Sequence, residues 1–235
     1  MKTRKPFRFK QFEIVQKGGC MPVTTDACIF GAMADIGNAK NVLDIGTGTG
    51  LLSLMLAQRF PEANFTAIDI DEASVNQAHI NFENSPWKNR LQAIKADIRD
   101  WEPGKIFDAI ICNPPFFDNQ LISETEDKRR ARHTITLNFE ILFEKINSFL
   151  NEEGLCCLLT PVLHLNSIKS ITEKYNFHIQ QFVNIASFKH SKSHLISLHI
   201  GKNKTENKFN DFFIYEEQGT YSPEMKLLMN DFYLI

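Results

Sequence analysis

Two segments, well separated in the chain, combine residue types that could do chemistry. The first is Asp44-Ile45-Gly46-Thr47-Gly48-Thr49-Gly50, set between two apolar runs. Glycines let the backbone take φ > 0 and let a ligand approach it closely. The dinucleotide fingerprint needs G-x-G-x-x-G, but this turn reads G-x-G-x-G and then Leu51. No Lys-Ser/Thr pair follows, so it is not a phosphate-binding P-loop either. Asp69 closes the next apolar run, where a carboxylate can accept both hydrogen bonds of a ribose diol, with Ile70 beside it. Asp97, after a third run, could bind an adenine amine, with Ile98 packing on the ring. Asp44 to Gly50, Asp69 and Asp97 together suit a nucleoside carrying an amino acid, as in S-adenosyl-L-methionine, rather than a pyrophosphate. A bare βα turn is the alternative for the glycines alone.

The second segment is Asn113-Pro114-Pro115-Phe116. An exocyclic amine on an aromatic base is a weak nucleophile because its lone pair is delocalised into the ring. The Asn113 side-chain oxygen and the Pro114 carbonyl could each accept one of its N–H bonds. That would favour a pyramidal nitrogen with its lone pair aimed at a methyl donor. Asn113, also counted with the cofactor-binding residues, is neutral and no general base, so positioning and electrostatics must supply most of the rate. Pro114 and Pro115 stiffen the backbone. Phe116 can stack on the base, a contact worth ~1–3 kcal/mol, and Phe117 offers a second wall. A strand-ending Pro-Pro turn is the structural alternative; the glycine turn upstream tips the balance toward methyl transfer.

The elements that must position these residues alternate. Strands are expected over 41–45, 64–70, 90–96, 107–112 and 154–160, with helices at 51–59, 71–84 and 162–175. Such alternation implies a parallel sheet with helices on both faces. Thr24 or Thr25 could cap a helix running to about Ile36. Phe139, Leu142, Phe143, Ile146, Phe149 and Leu150 fall at helical spacing, with Asn138 as the cap. Residues 177–200 read as an edge hairpin joined by Lys189-His190-Ser191-Lys192-Ser193. Residues 201–208 are expected to be exposed, 211–215 to form a last short strand, and Ser222-Pro223 to open a final helix.

The chain has 235 residues, 43% hydrophobic and 23% charged, which fits one globular domain. The expected division is a basic N-terminal extension (1–22), a cofactor-binding and catalytic core (23–200) and a C-terminal appendage (201–235). A net charge of −2 does not advertise a nucleic-acid binder, though local clusters can outweigh the mean. Cys20, Cys28, Cys112, Cys156 and Cys157 show no C-x-x-C pair, so reduced cytoplasmic thiols are expected, with no disulfide framework and no metal site. No run is long and apolar enough for a membrane span, and no apolar segment follows the basic start.

The G-x-G-x-G turn, the acidic strand end and Asn113 to Phe116 resemble class I S-adenosylmethionine-dependent amino-methyltransferases. More narrowly, the chain resembles the bacterial tRNA1(Val) (adenine(37)-N6)-methyltransferase family. Phe7-Arg8-Phe9-Lys10-Gln11-Phe12, Thr25-Asp26, Ser85-Pro86-Trp87, Tyr221-Ser222 and Phe232-Tyr233-Leu234 carry the narrower likeness, which spans nearly the whole chain. The resemblance implies a Rossmann-like α/β fold: a mainly parallel seven-stranded sheet with one antiparallel strand. It implies that Gly46, Gly48, Gly50, Asp69 and Asp97 hold the cofactor, that Thr25-Asp26 lies near its methionine end, and that Asn113 to Phe116 holds a tRNA adenine. Such enzymes often carry Tyr where Phe116 stands, so a phenolic hydrogen bond would be lost here. Lys10 and the cluster Arg129, Arg130 and Arg132 are candidate RNA contacts, against the alternative of a solvated charged face. No obligate protein partner is evident. Rival functions are methylation of an rRNA guanine or a protein glutamine amide, and a non-catalytic RNA-binding or cofactor-sensing role.

Overall fold

The computed structural model describes residues 5–16, 21–114 and 139–234. The alternating Phe residues of the entry segment form a small antiparallel ladder, β1 (Phe7–Arg8) with β2 (Glu13–Ile14). Thr24, rather than Thr25, caps α1 (Thr25–Met33): its hydroxyl accepts from the Ala27 N–H at 3.2 Å. The helix stops at Met33, short of the expected Ile36. The βα alternation then gives β3 (Asn41–Ile45), α2 (Leu51–Arg59), β4 (Asn64–Asp69), α3 (Glu72–Glu83), β5 (Leu91–Lys95) and β6 (Phe107–Cys112). Asp71 caps α3 by accepting from Ser74 N–H at 2.9 Å. Beyond come α4 (Phe139–Phe149), β7 (Leu150–Pro161), α5 (Leu165–Lys174), β8 (His178–Ala186), β9 (Leu195–Gly201) and β10 (Lys208–Phe213). A short ladder, β11 (Tyr215–Glu217) with β12 (Thr220–Tyr221), leads to α6 (Pro223–Met229), capped by Ser222.

Among the described residues the central sheet has eight strands in the order β10-β8-β9-β7-β6-β3-β4-β5. Strand β9 runs antiparallel to both neighbours, and the other seven strands are parallel to one another. The expected seven strands with one reversed are all present; β10 is the eighth. It pairs with β8 from Lys208↔Gln181 to Phe213↔Ala186. The 178–201 hairpin is therefore not at the sheet edge, and residues 208–213 of the expected appendage belong to the sheet. The last short strand expected over 211–215 thus begins earlier, at Lys208; hydrophilic Lys208, Asn210 and Asp211 obscure its start in the sequence, as befits an edge strand that presents polar residues to solvent.

Alternating side chains bury both faces of the sheet. Helices α1, α2, α3 and α6 cover one face, where Val42, Phe65, Ala109 and Ile185 meet Phe30, Leu54, Met55, Ala78 and Met225. Helices α4 and α5 cover the other, where Leu43, Ile110, Leu158 and Leu198 meet Phe143, Ile146 and Ile168. Cys28, Cys112, Cys156 and Cys157 are buried free thiols; burial pushes the Cys28 thiol up to about 12 and raises the other three as well. No described helix is long and apolar enough to cross a membrane.

Candidate active site

The direction of chain winding reverses between β3 and β6. From β3 the sheet grows through β4 and β5 on one side, and through β6 and β7 on the other. Ligands of open α/β sheets bind at such a switch point, beyond the carboxyl ends of the strands. Ile45 is paired with Cys112 across that junction. The next residue of each strand is Gly46 and Asn113, so the two motifs leave neighbouring strands side by side, about 4.8 Å apart by strand spacing.

The glycine turn is tightly held. Both Gly46 and Thr47 donate their N–H to Ile68 O, at 2.9 and 3.0 Å. Gly46, Gly48 and Gly50 have φ of 73°, 55° and 82°. Among the described residues, a side chain at Gly46 or Gly48 would meet nothing within 4 Å, whereas one at Gly50 would strike Phe82 at 2.4 Å. The first two glycines thus leave room beside the backbone for a ligand, and the third lets α2 close on α3. Asn81, on the same helix face as Phe82, is buried and ties the region together. It donates to Thr49 O at 2.8 Å and Val15 O at 3.3 Å, and accepts from Val15 N–H at 3.0 Å. Asn81 belongs to no motif; a polar residue among the buried positions Ala78 and Phe82 is its only local mark in the sequence.

Asp44 is fully buried beneath the turn. Its Oδ2 accepts from Thr47 Oγ1 at 2.8 Å and Ser53 Oγ at 2.7 Å, while Oδ1 has no hydrogen-bond partner among the described residues. Burial pushes this carboxyl up to about 6, against the pull of the two hydroxyls. Asp69, at the end of β4, accepts from Gly48 N–H at 2.9 Å through Oδ2 and from Asp71 N–H at 2.9 Å through Oδ1. Burial raises its pKa, and the backbone donors oppose that shift. Half-buried Ile70 follows it.

The structure brings Asp44, the glycines, Asp69, Ile70 and Asn113 to the ends of three adjacent strands. Asp97 and buried Ile98 follow β5, the next strand. Asp97 is gripped by Arg99, whose Nε lies 2.9 Å from each carboxylate oxygen and whose Nη2 also reaches Oδ2. That contact holds its pKa below the usual carboxylate range. Thr25 is the first residue of α1, and the neighbouring Asp26 lies 3.6 Å from His194 Nε2. Asn113 is half-buried and Pro114 buried. Pro115, Phe116, Arg129, Arg130 and Arg132 lie outside the described residues. Lys10 ties the two chain ends together: its ammonium donates to Asn230 O and its N–H to Phe232 O.

These residues fit S-adenosyl-L-methionine. Open space beside Gly46 and Gly48 admits a ligand to the backbone, Asp69 is an acidic strand end, and the orphaned Oδ1 of Asp44 can receive a cationic donor.

Comparison with known proteins bears on the site's chemistry. The methyltransferase small domain family matches residues 28–135. The tRNA1(Val) (adenine(37)-N6)-methyltransferase of Pedobacter heparinus is 36% identical over 231 residues, covering 98% of this chain and 99% of that protein. The Shewanella sediminis enzyme of the same name is 38% identical, covering 97% and 98%. This chain belongs to the tRNA1(Val) (adenine(37)-N6)-methyltransferase family. Solved structures place this family member's fold among methyltransferases. A predicted O-methyltransferase from Agrobacterium tumefaciens aligns with a TM-score of 0.68 at 17% identity, over 88% of this chain and 96% of that one. A precorrin-6y C5,15-methyltransferase from Geobacter metallireducens gives 0.56 at 13% identity, over 81% and 93%.

Proposed function

We propose that this family member transfers a methyl group from S-adenosyl-L-methionine to the exocyclic N6 of an adenine in a tRNA anticodon loop, adenine 37 of tRNA1(Val), in the cytoplasm. The observation that carries this reading is the Ile45↔Cys112 register, which sets the cofactor-type glycine turn beside Asn113. The names of the full-length relatives support the RNA substrate.

The cofactor, when bound, supplies an activated methyl on a positive sulfonium. Gly46 and Gly48 give it backbone access, Asp69 receives the ribose hydroxyls, and Asp97 with Ile98 receives the adenine. Asp44 balances positive charge beneath the turn. The Asn113 side-chain oxygen and the Pro114 carbonyl accept the two N–H bonds of the target amine and so orient its lone pair. Pro115 stiffens the segment and Phe116 stacks on the extruded base; an unpaired loop base is cheaper to extrude than a duplex base. Arg129, Arg130 and Arg132 bind RNA backbone. Lys10 joins them, because an ammonium has three donors and its bond to Asn230 leaves others free.

Purified protein, labelled S-adenosyl-L-methionine and unmodified tRNA, followed by nucleoside mass spectrometry, test the proposal. N6-methyladenosine should form. Asn113→Ala should cut kcat/KM about 100–1000-fold, the scale of one positioned polar group. Label in rRNA guanine or protein glutamine instead of tRNA would overturn the assignment.

A further inference from the structure

The β8–β9 connection, residues 187–194, stands at the same end of the sheet as Asn113. Leu198 is level with Leu158 of β7, which is level with Cys112 of β6. Leu195, where β9 begins, pairs with Pro161, three positions further toward the carboxyl ends. The connection therefore rises roughly 10 Å above the level of Cys112 and roughly 10 Å to its side, two strands away. It stands on the side of the proposed base site toward β9.

This connection is held in place. The Ser191 N–H donates to Phe188 O at 2.9 Å, His194 N–H to Ile185 O at 3.1 Å, and Val162 N–H to His194 O at 3.2 Å. His194 also reaches Asp26 on α1. On this frame His190 stacks on Phe188 (5.6 Å, 13°), Phe188 packs on Tyr215 (5.7 Å), and Tyr215 stacks on Tyr221 (5.4 Å, 11°). Tyr215 and Tyr221 come from the β11–β12 ladder, which begins two residues beyond β10, where Tyr215 N–H donates to Ser187 O at 2.9 Å. Lys189, His190 and Lys192 are exposed, and among the described residues neither lysine has a carboxylate partner. The acids of the neighbouring elements are Asp26, already facing His194, and exposed Glu216 and Glu217 of the β11–β12 ladder.

We infer that this row of rings and cations is a second RNA contact, receiving the unpaired nucleotides that flank the target adenine. Stacked rings bind any base face, and cations set between them bind the phosphates of a single strand. The exposed part of the row is aromatic and cationic rather than aliphatic, which favours RNA over a protein helix. The inference rests on the RNA-methylating reading of the site.

The test compares wild type with Lys189→Ala/Lys192→Ala and with His190→Ala. Binding of an anticodon stem-loop oligonucleotide and methylation of whole tRNA are measured over a series of salt concentrations. The double variant should bind the oligonucleotide about tenfold more weakly, and the slope of log K against log salt should flatten by roughly 1.4, or ~0.7 for each of two phosphates. The loss should fall on KM for tRNA rather than on kcat. His190→Ala should weaken binding through the loss of a stacking ring. Lys169→Ala/Lys204→Ala, at the opposite end of the sheet, should leave both quantities at wild-type values. Unchanged affinity and slope in the Lys189/Lys192 variant would overturn the inference. A wild type that methylates no tRNA, yet binds the oligonucleotide through these lysines, would overturn the methylation reading and sustain the surface.

Discussion

At the scale of single residues, Asp44 pits binding against stability. A carboxyl held at about 6 in the fold, against 3.8 in an open chain, makes the ionised form costly by about 3 kcal/mol at ~1.4 kcal/mol per pKa unit. A raised carboxyl binds more protons folded than unfolded. The cost is therefore absent below pH ~3.8, grows as pH rises toward about 6, and is complete above that. Asp44→Asn cannot titrate. On going from neutral pH to about pH 4, the stability difference between wild type and variant should move in the wild type's favour by about 2 kcal/mol. Chemical denaturation at several pH values measures this, and a pH-independent difference would contradict it. Cofactor affinity should fall as wild type is acidified through about 6, and should already be weak in the variant at neutral pH. Asp97 behaves oppositely: Arg99 holds it ionised, so it offers its charge at any working pH.

At the scale of elements, the strand–turn–helix from β3 to α2 divides its glycines between two duties. All three lie at positive φ, which costs an L-residue ~1 kcal/mol or more. Gly48→Ala meets open space, so it should lose about that much stability while abolishing cofactor binding. Gly50→Ala forces a methyl to within 2.4 Å of Phe82, an overpacking cost of typically 1–3 kcal/mol added to the backbone strain. Thermal melts with and without S-adenosylhomocysteine separate the two variants. A Gly48→Ala protein that still gained cofactor-induced stability would refute the ligand role of the turn. The spacing of the glycines raised the expectation of a ligand turn, but only the approach of α3 shows which glycine serves packing. Strand β10 illustrates the limit of local pattern. Its polar residues suit an exposed loop, and its pairing with β8 is decided by a neighbour some 30 positions upstream.

At the scale of the molecule, the chain ends are joined into one aromatic cluster against the core. Phe9 stacks on Phe12 at 4.5 Å, Phe12 meets Trp87 at 5.6 Å, and Phe9 meets Phe232 at 6.4 Å. Phe232 is buried, and truncating a buried Phe typically costs 3–5 kcal/mol. Phe232→Ala should lower the melting temperature and open the entry segment to proteolysis near residues 5–16. Resistance equal to wild type would show that the tail does not hold it. Asn81 connects this cluster to the site, because one side chain bonds both Val15 and Thr49.

The sequence by itself determined the winding and the strands that carry Asp44, Asp69 and Cys112, and it showed the two candidate segments. Hydrophobic periodicity, glycines and capping residues act over a few positions, so local order reveals them. Tertiary structure alone decided the partners: the Ile45↔Cys112 register, the Arg99 grip on Asp97, the orphaned Asp44 oxygen, the attachment of Lys10 to the tail, and the strand added at the edge. Each joins groups through burial and directional bonds set by three-dimensional proximity, which the spacing of residues along one chain does not encode.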